Sequence, residues 1–347
     1  MAKGKHILVV RFSAMGDVAM TVPVLKELLQ QHPELYVTYV SRPGFAAFFE
    51  NIERIQFIGV DFKKDYNGWT GTFKLFKHLK SLQKFYAVAN LHDNLRSNLL
   101  QALFRLSGVS GARVNKGRSE KKSLTRFPDK VLKPLKSTVE RYADVFRALG
   151  FSLKLSHQLV RQELIPNDAV QQLTDNKTTA WIGIAPFAQH KGKIYPLGRM
   201  EAVIKLLNHQ SLKLFIFGGS PEEQAIAQEW EQKYQSVTSV INKISMQQEL
   251  TLISQLDVML SMDSSGMHLA SLQGVPVVSV WGATHYYAGF LGYGQSEENI
   301  VADDIACRPC SVYGNKPCFR KDYACLYNIE PQSVVDRLQK FIDKEAY

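Results

Sequence analysis

The sequence has few cysteines, no long apolar run and fewer acids than bases, and each shortage excludes a class of protein. Only four cysteines occur in 347 residues, all between Cys307 and Cys325, which excludes a disulfide-stapled scaffold. The longest apolar stretches, such as 275–281, are broken by Pro276 and Ser279 and fall short of the roughly 20 residues of a membrane-spanning helix. Lys3 and Lys5 precede only Ile7–Val10 before Arg11, less than the about 7–15 apolar residues of a signal-peptide core, so a cytoplasmic location is expected. No GxGxxG run occurs, which weakens a dinucleotide-cofactor reading. Low-complexity tracts and short internal repeats are also missing.

What is present is an ordinary globular composition, 45% hydrophobic and 21% charged, with length for about two domains of roughly 150 residues. Forty-two Lys and Arg against thirty-two Asp and Glu give a formal charge of +10. The excess is concentrated between Arg113 and Lys136, where nine basic residues meet two acids. Such a run reads as a solvated loop or as a contact with anionic headgroups or a phosphorylated acceptor. Nucleic acid is not expected, because only Phe127 interleaves the charges.

The hydropathy pattern predicts strands at 6–11, 36–40, 55–60 and 86–90, with helices at 18–31, 94–106 and 139–149, the last stopped by Gly150. The alternation then restarts, with strands at 180–185, 212–217, 237–240, 258–262 and 277–281 and helices at 198–208, 222–233 and 247–255. Two successive β/α runs predict two doubly wound domains facing across a cleft. The expected boundaries are 1–165, 166–330 and a C-terminal segment 331–347 whose helix covers 331–344; a polar linker is expected within 158–179.

In open parallel sheets ligands meet the loops that follow the strands. The first such loop, Arg11 to Asp17, ends in a carboxylate that either caps a helix or serves as a general base. After the strand ending at Met262, Asp263, Ser264, Ser265 and Gly266 open a helix that also carries His268 and is closed by Gly274. Backbone amides and the helix dipole there suit a diphosphate, although capping alone accounts for Asp263 and the serines. The loop 185–196 supplies Lys191 and Lys193, able to neutralise a leaving group. A third loop, 218–222, starts a helix with Pro221 and places Glu222 or Glu223 where ribose hydroxyls could be accepted. Cys307, Cys310, Cys318 and Cys325 include one CxxC knuckle, and in a reducing compartment their grouping suggests a structural zinc or iron site, or ordinary packed thiols.

These residues together resemble glycosyltransferase family 9, the ADP-heptose:lipopolysaccharide heptosyltransferases, over nearly the whole chain. The resemblance is carried by Arg11, Ser13, Gly16, Asp17 and Pro23, by Lys193 with Tyr195 and Pro196, by Gly111–Arg113, by Val139–Tyr142, and by Asp263, Ser264, His268 and Ala270. In the late motif, Ser265 stands where the family has glycine, and Gly266 comes one place late. The resemblance implies an α/β GT-B fold with the acceptor on the first Rossmann-like domain and the nucleotide-sugar on the second. It implies an inverting transfer in which Asp17 takes the acceptor's proton and Lys193 holds the departing diphosphate, without a catalytic metal. Lys191, Glu222, Asp263, Ser264, Ser265, Gly266 and His268 are expected on the donor side, and Ser13, Gly16, Arg96 and Arg113 on the acceptor side. The donor would be ADP-heptose-like, and the acceptor an anionic lipid-linked glycan met at the cytoplasmic face of the inner membrane. A nucleotide-sugar epimerase on the same fold and a non-catalytic anion or nucleic-acid binder are the alternatives.

Overall fold

The structure is a computed structural model and describes residues 4–174, 176–208 and 212–342. The chain divides into two compact units: residues up to Arg118 with Lys136–Ser156 form the first, and Ser119–Leu135 with the chain from His157 onward form the second.

In the first unit β1 (Lys5–Val10) leads into α1 (Met15–Ala19) and α2 (Thr21–Gln31), then β2 (Leu35–Ser41), β3 (Ile55–Gly59), α3 (Gly68–Leu82), β4 (Ala87–Asn90), α4 (Leu95–Leu106) and β5 (Ser110–Arg113). The strands form one parallel sheet in the order β3-β2-β1-β4-β5. Leu8, Val10, Val88, Leu100 and Phe104 belong to a fully enclosed cluster on this sheet, and burying each such side chain stabilises the fold by about 1.5–3 kcal/mol. The helix expected over 18–31 is two helices. Pro23 has no amide hydrogen and its ring clashes with the carbonyl four residues earlier, at Ala19, where α1 ends. The Thr21 hydroxyl donates to Val18 O at 2.7 Å and fixes the corner.

Next come α5 (Arg118–Leu124), α6 (Thr138–Ala148) and α7 (Asp168–Thr174). Gly150, at φ +92°, follows α6 as its expected stop. The segment read as a polar linker is not all linker, since α7 lies within it. Beyond it are β6 (Ala180–Ala185), α8 (Leu197–Leu207), β7 (Leu212–Ile216), α9 (Pro221–Lys233), β8 (Val237–Ser239), α10 (Met246–Gln255), β9 (Val258–Met262), α11 (Ser265–Leu272), β10 (Val277–Trp281), β11 (Ile300–Ala302), α12 (Ala324–Tyr327) and α13 (Pro331–Ile342). The last helix was expected to reach 344; residues 343 and 344 lie outside the described residues. The second sheet is also parallel, in the order β11-β10-β9-β6-β7-β8. Both sheets therefore have the doubly wound arrangement predicted from the alternation. Among the described residues no helix is long and apolar enough to cross a membrane.

Gly274, which ends α11, has φ +71°, and a Cβ there would stand 2.1 Å from the Val160 carbonyl oxygen. Gly198, in α8, has open space around it. Gly274→Ala should therefore destabilise by about 1–3 kcal/mol while Gly198→Ala is neutral or stabilising. Equal melting temperatures for the two variants would contradict this packing.

Candidate functional site

Each sheet reverses its strand order once, between β1 and β4 in the first unit and between β6 and β9 in the second. The carboxyl ends of strands at such a switch point leave a crevice that no crossover helix covers. The loops singled out from the sequence emerge at both switches.

In the first unit, Val10 at the end of β1 pairs in register with Asn90 at the end of β4. Asp17 sits in the first turn of α1 and its carboxylate is ion-paired with Arg11. Its Oδ2 also accepts a long hydrogen bond from the Ala14 amide, 3.4 Å, so it caps the helix as well as facing a cation. The Arg11 side chain is enclosed, 8% exposed against 29% for Asp17. Arg11 Nη1 donates to Leu91 O at 2.8 Å, and the guanidinium lies 5.8 Å from the centre of the Tyr142 ring. Burial pushes the Tyr142 phenol well above its ordinary value, so it remains a neutral hydroxyl.

His92 closes the same end of the sheet. Its Nδ1 accepts from the Phe12 amide at 2.9 Å, which leaves any ring proton on Nε2. Burial, then the neighbouring Arg11 and Lys116 charges, push it down to about 3. Asn90 organises the loop: its Oδ1 accepts from the amides of His92 at 3.1 Å and Asp93 at 3.0 Å, while its Nδ2 donates to Asn98 and Gln101. Asp93, in the left-handed region at φ +49°, gathers cations. Arg118 is 2.8 Å from its carboxylate and Arg113 is 4.0 Å away, and Lys116 donates to its carbonyl at 3.1 Å. Ser13 and Gly16 lie on the Asp17 turn, and Arg96 stacks on Phe62 at 4.2 Å. The sequence reading missed Asn90, His92 and Asp93. Their signal was the polar run from Asn90 to Asn94 directly after an apolar strand.

In the second unit, Ala185 at the end of β6 pairs with Ser261 on β9. The chain returning from β6 places Lys193 Nζ 2.9 Å from Asp263 Oδ2, and Asp263 is almost fully enclosed. Ser264 is the N-cap of α11 but its side chain makes no capping bond; its hydroxyl instead lies 3.5 Å from that of Ser261. The Ser264 hydroxyl therefore leaves the first amides of α11 uncapped, beside a lysine and at the positive end of the helix dipole. Gly266 has a packing reason: a Cβ would meet Ala185 Cβ at 2.4 Å, so the helix can approach β6 only without a side chain there. His268 is buried one turn into the helix. Tyr195 is an anchor, since its hydroxyl donates to Ile329 O at 2.7 Å and the ring is fully enclosed.

Lys191 is turned to the Tyr323 ring, 5.2 Å from its centre. Hydrogen bonding engages both Glu222 and Glu223 at the start of α9. Glu223 accepts from the amides of Gly219 at 2.7 Å and Ser220 at 3.1 Å, while Ser220 Oγ accepts from the Glu223 amide. That capping box occupies Glu223, while Glu222, exposed at the start of α9, is held below the usual carboxylate range by its own amide and the Ser220 hydroxyl.

The four cysteines are free thiols. Among the described residues no group of three or more His, Cys, Asp or Glu side chains is placed to hold a metal ion, while Cys307, Cys310, Cys318 and Cys325, the suggested zinc or iron ligands, lie close enough to influence one another's ionisation. Cys325 is packed into the core on α12 and burial pushes its thiol up to about 12. Burial and the neighbouring Cys307 and Cys318 push Cys310 up as well.

Because His92 stays neutral when folded but takes a proton near pH 6.5 when unfolded, its burial favours folding only above about that value. Stability should fall as pH drops from about 7 to 5, with each such histidine contributing up to about 1.4 kcal/mol per pH unit. His285, held down to about 4 by burial and Arg308, acts in the same direction. His92→Gln should flatten the fall in urea midpoint across this window; an unchanged slope would count against the buried neutral ring.

Comparison with known proteins agrees with the geometry. The family model for glycosyltransferase family 9 (heptosyltransferase) matches residues 72–318. The lipopolysaccharide core heptosyltransferase OpsX of Haemophilus influenzae is 24% identical over 286 residues, covering 80% of this chain and 79% of its own. A solved family 9 glycosyl transferase from Veillonella parvula superposes with a TM-score of 0.74 at 19% identity, covering 98% of both chains. The E. coli heptosyltransferase WaaC, solved with ADP, gives 0.66 at 20% identity, over 96% of this chain and 99% of that one. With the family model spanning more than half of its length, two doubly wound units of the GT-B class and both motif loops at switch points, the chain belongs to glycosyltransferase family 9.

Proposed function

We propose that the protein is an inverting transferase that moves a heptose from an ADP-heptose-like donor onto an anionic, lipid-linked lipopolysaccharide core acceptor, at the cytoplasmic face of the inner membrane. The observation that carries this reading is the Lys193–Asp263 pair beside the uncapped start of α11. Buried Asp263 holds the ammonium at the helix terminus, and together lysine and amides form a fixed positive field suited to a diphosphate. Because that field neutralises the leaving group, the reading requires no divalent cation. Glu222, exposed at the start of α9, and His268, one turn into α11, complete the donor side of this reading.

Asp17 is the general base. Its carboxylate takes the proton of the acceptor hydroxyl, the hydroxyl oxygen bonds to the anomeric carbon from the face opposite the diphosphate, and the bond from that carbon to the diphosphate oxygen breaks with its electron pair. Inversion follows from that single displacement. Arg11 orients Asp17 through an ion pair shielded from water, while the cations around Asp93, with Arg96, Arg113 and Lys116, suit phosphates on the acceptor core. Family membership favours transfer over an epimerase or a non-catalytic binder, and OpsX is named as a core heptosyltransferase.

Incubation with ADP-heptose and a heptose-deficient lipopolysaccharide acceptor should yield a product heavier by one heptose; ADP-heptose converted with no acceptor present would instead support an epimerase. Asp17→Asn should keep ADP binding and lose turnover by at least roughly a hundredfold, and a variant of near-normal rate would remove Asp17 from the role. Lys193→Gln, which still offers Asp263 a donor, should weaken ADP binding by about tenfold or more, the range for a hydrogen bond to a charged group. A thermal-shift titration with ADP reads this directly. An unchanged ADP midpoint would place the diphosphate elsewhere.

A further inference from the structure

The stretch Ser119–Leu135 packs with the second unit and carries part of the basic run with it. Leu135 donates its amide to Tyr287 O at 2.9 Å, Lys130 Nζ donates to Ala306 O at 3.1 Å, and Lys121 lies 4.0 Å from the Phe290 ring centre. These contacts bring its tip against the loop around Phe319. The Phe127 and Phe319 rings stand 5.6 Å apart, yet they remain 58% and 57% exposed, and Val131 and Leu132 near Phe127 in the chain are 44% and 55% exposed.

Large apolar side chains scattered singly over a surface need no explanation, whereas grouped ones mark an interaction face. The surroundings of this group are cationic. Arg126, Lys133, Lys316 and Lys321 are exposed on the same two loops, and Arg320 beside them is paired with Asp322 at 2.9 Å. From 121 to 135 the only acid is Asp129, and from 305 to 321 there is none.

We propose that this patch seats the second unit on an anionic phospholipid surface, with Phe127, Val131, Leu132 and Phe319 entering the boundary between headgroups and acyl chains. Lysine and arginine heads remain at the lipid phosphates. An apolar tip inside a basic rim is the arrangement that gains from both burial and surface charge at an anionic leaflet. A second copy of the chain is the less suitable occupant, because a symmetric contact would set two basic rims against each other. Single-stranded nucleic acid needs ring faces open for stacking, and here the two rings are packed on one another.

The inference does not depend on the transferase reading, since lipid binding is measured without donor or acceptor. The full chain is sedimented with vesicles of phosphatidylcholine alone and of phosphatidylcholine with roughly 30 mol % phosphatidylglycerol, an anionic lipid that attracts basic side chains. It should pellet with the anionic vesicles only and be released by ~0.5 M salt, where screening is strong. Phe127→Ser combined with Phe319→Ser, and separately Lys133→Glu combined with Lys316→Glu, should each lower the bound fraction by at least roughly fivefold. Their melting temperatures and ADP-induced thermal shifts should match the parent, because all four side chains are exposed. Binding to neither vesicle, equal binding to both, or pelleting insensitive to both variant pairs overturns the proposal. So does a dimer, seen by light scattering, that the serine variants dissociate without altering vesicle binding, which would assign the patch to a second copy.

Discussion

The constraint on which the rest depends is that a parallel sheet in which the chain winds both ways must reverse its strand order somewhere. At the reversal two neighbouring strands send their following loops to opposite faces, and nothing covers the gap. Both units obey it, at β1/β4 and at β6/β9. All the chemistry-bearing loops discussed above grow from strand ends at or near these gaps. In the second unit the register of Ala185 with Ser261 brings the Lys193 loop and the α11 start to one place. Gly266 then permits helix and strand to approach closely enough for the ion pair to close.

The two units handle charge in opposite senses. In the first, a carboxylate is held by an arginine that is itself enclosed and hydrogen-bonded to Leu91 O, so the negative group is the one with access to water. In the second, the carboxylate is enclosed and the lysine is the more exposed member, 18% against 4%. Enclosing one partner limits the side-chain freedom that makes surface ion pairs weak. The exposed partner is left pre-oriented: an anion in one unit, a cation in the other.

Much of this was legible in the sequence because parallel strands buried on both faces leave short continuous apolar runs, and β6, β9 and β10 fall at the limits read from hydropathy. The helix termini were legible for the same local reason, as at Gly150 and Gly274. What was not legible depended on packing. The edge strand β5 is mostly exposed and carries Gly111, so no apolar run announced it. The turn between α1 and α2 looked like one helix because only Pro23 marked it. Asn90, His92 and Asp93 gain their importance from hydrogen bonds across the loop, which spacing does not encode. The cysteine spacing suggested a shared site, and the four thiols do act on one another electrostatically, although among the described residues no metal-holding group of three is placed.

The assignment of Ser119–Leu135 to the second unit means that the chain passes between the two units three times. Cutting after Ser156 therefore does not release an autonomous second unit. A fragment beginning at His157 would leave the carbonyl of Tyr287 without the amide of Leu135 and would uncover Phe290, on which Lys121 rests. During synthesis the second unit is complete only once it packs with a strip made before it, so sequence order and folding order are interlaced in this polypeptide, and domain exchange with a relative must carry that strip along with the C-terminal half.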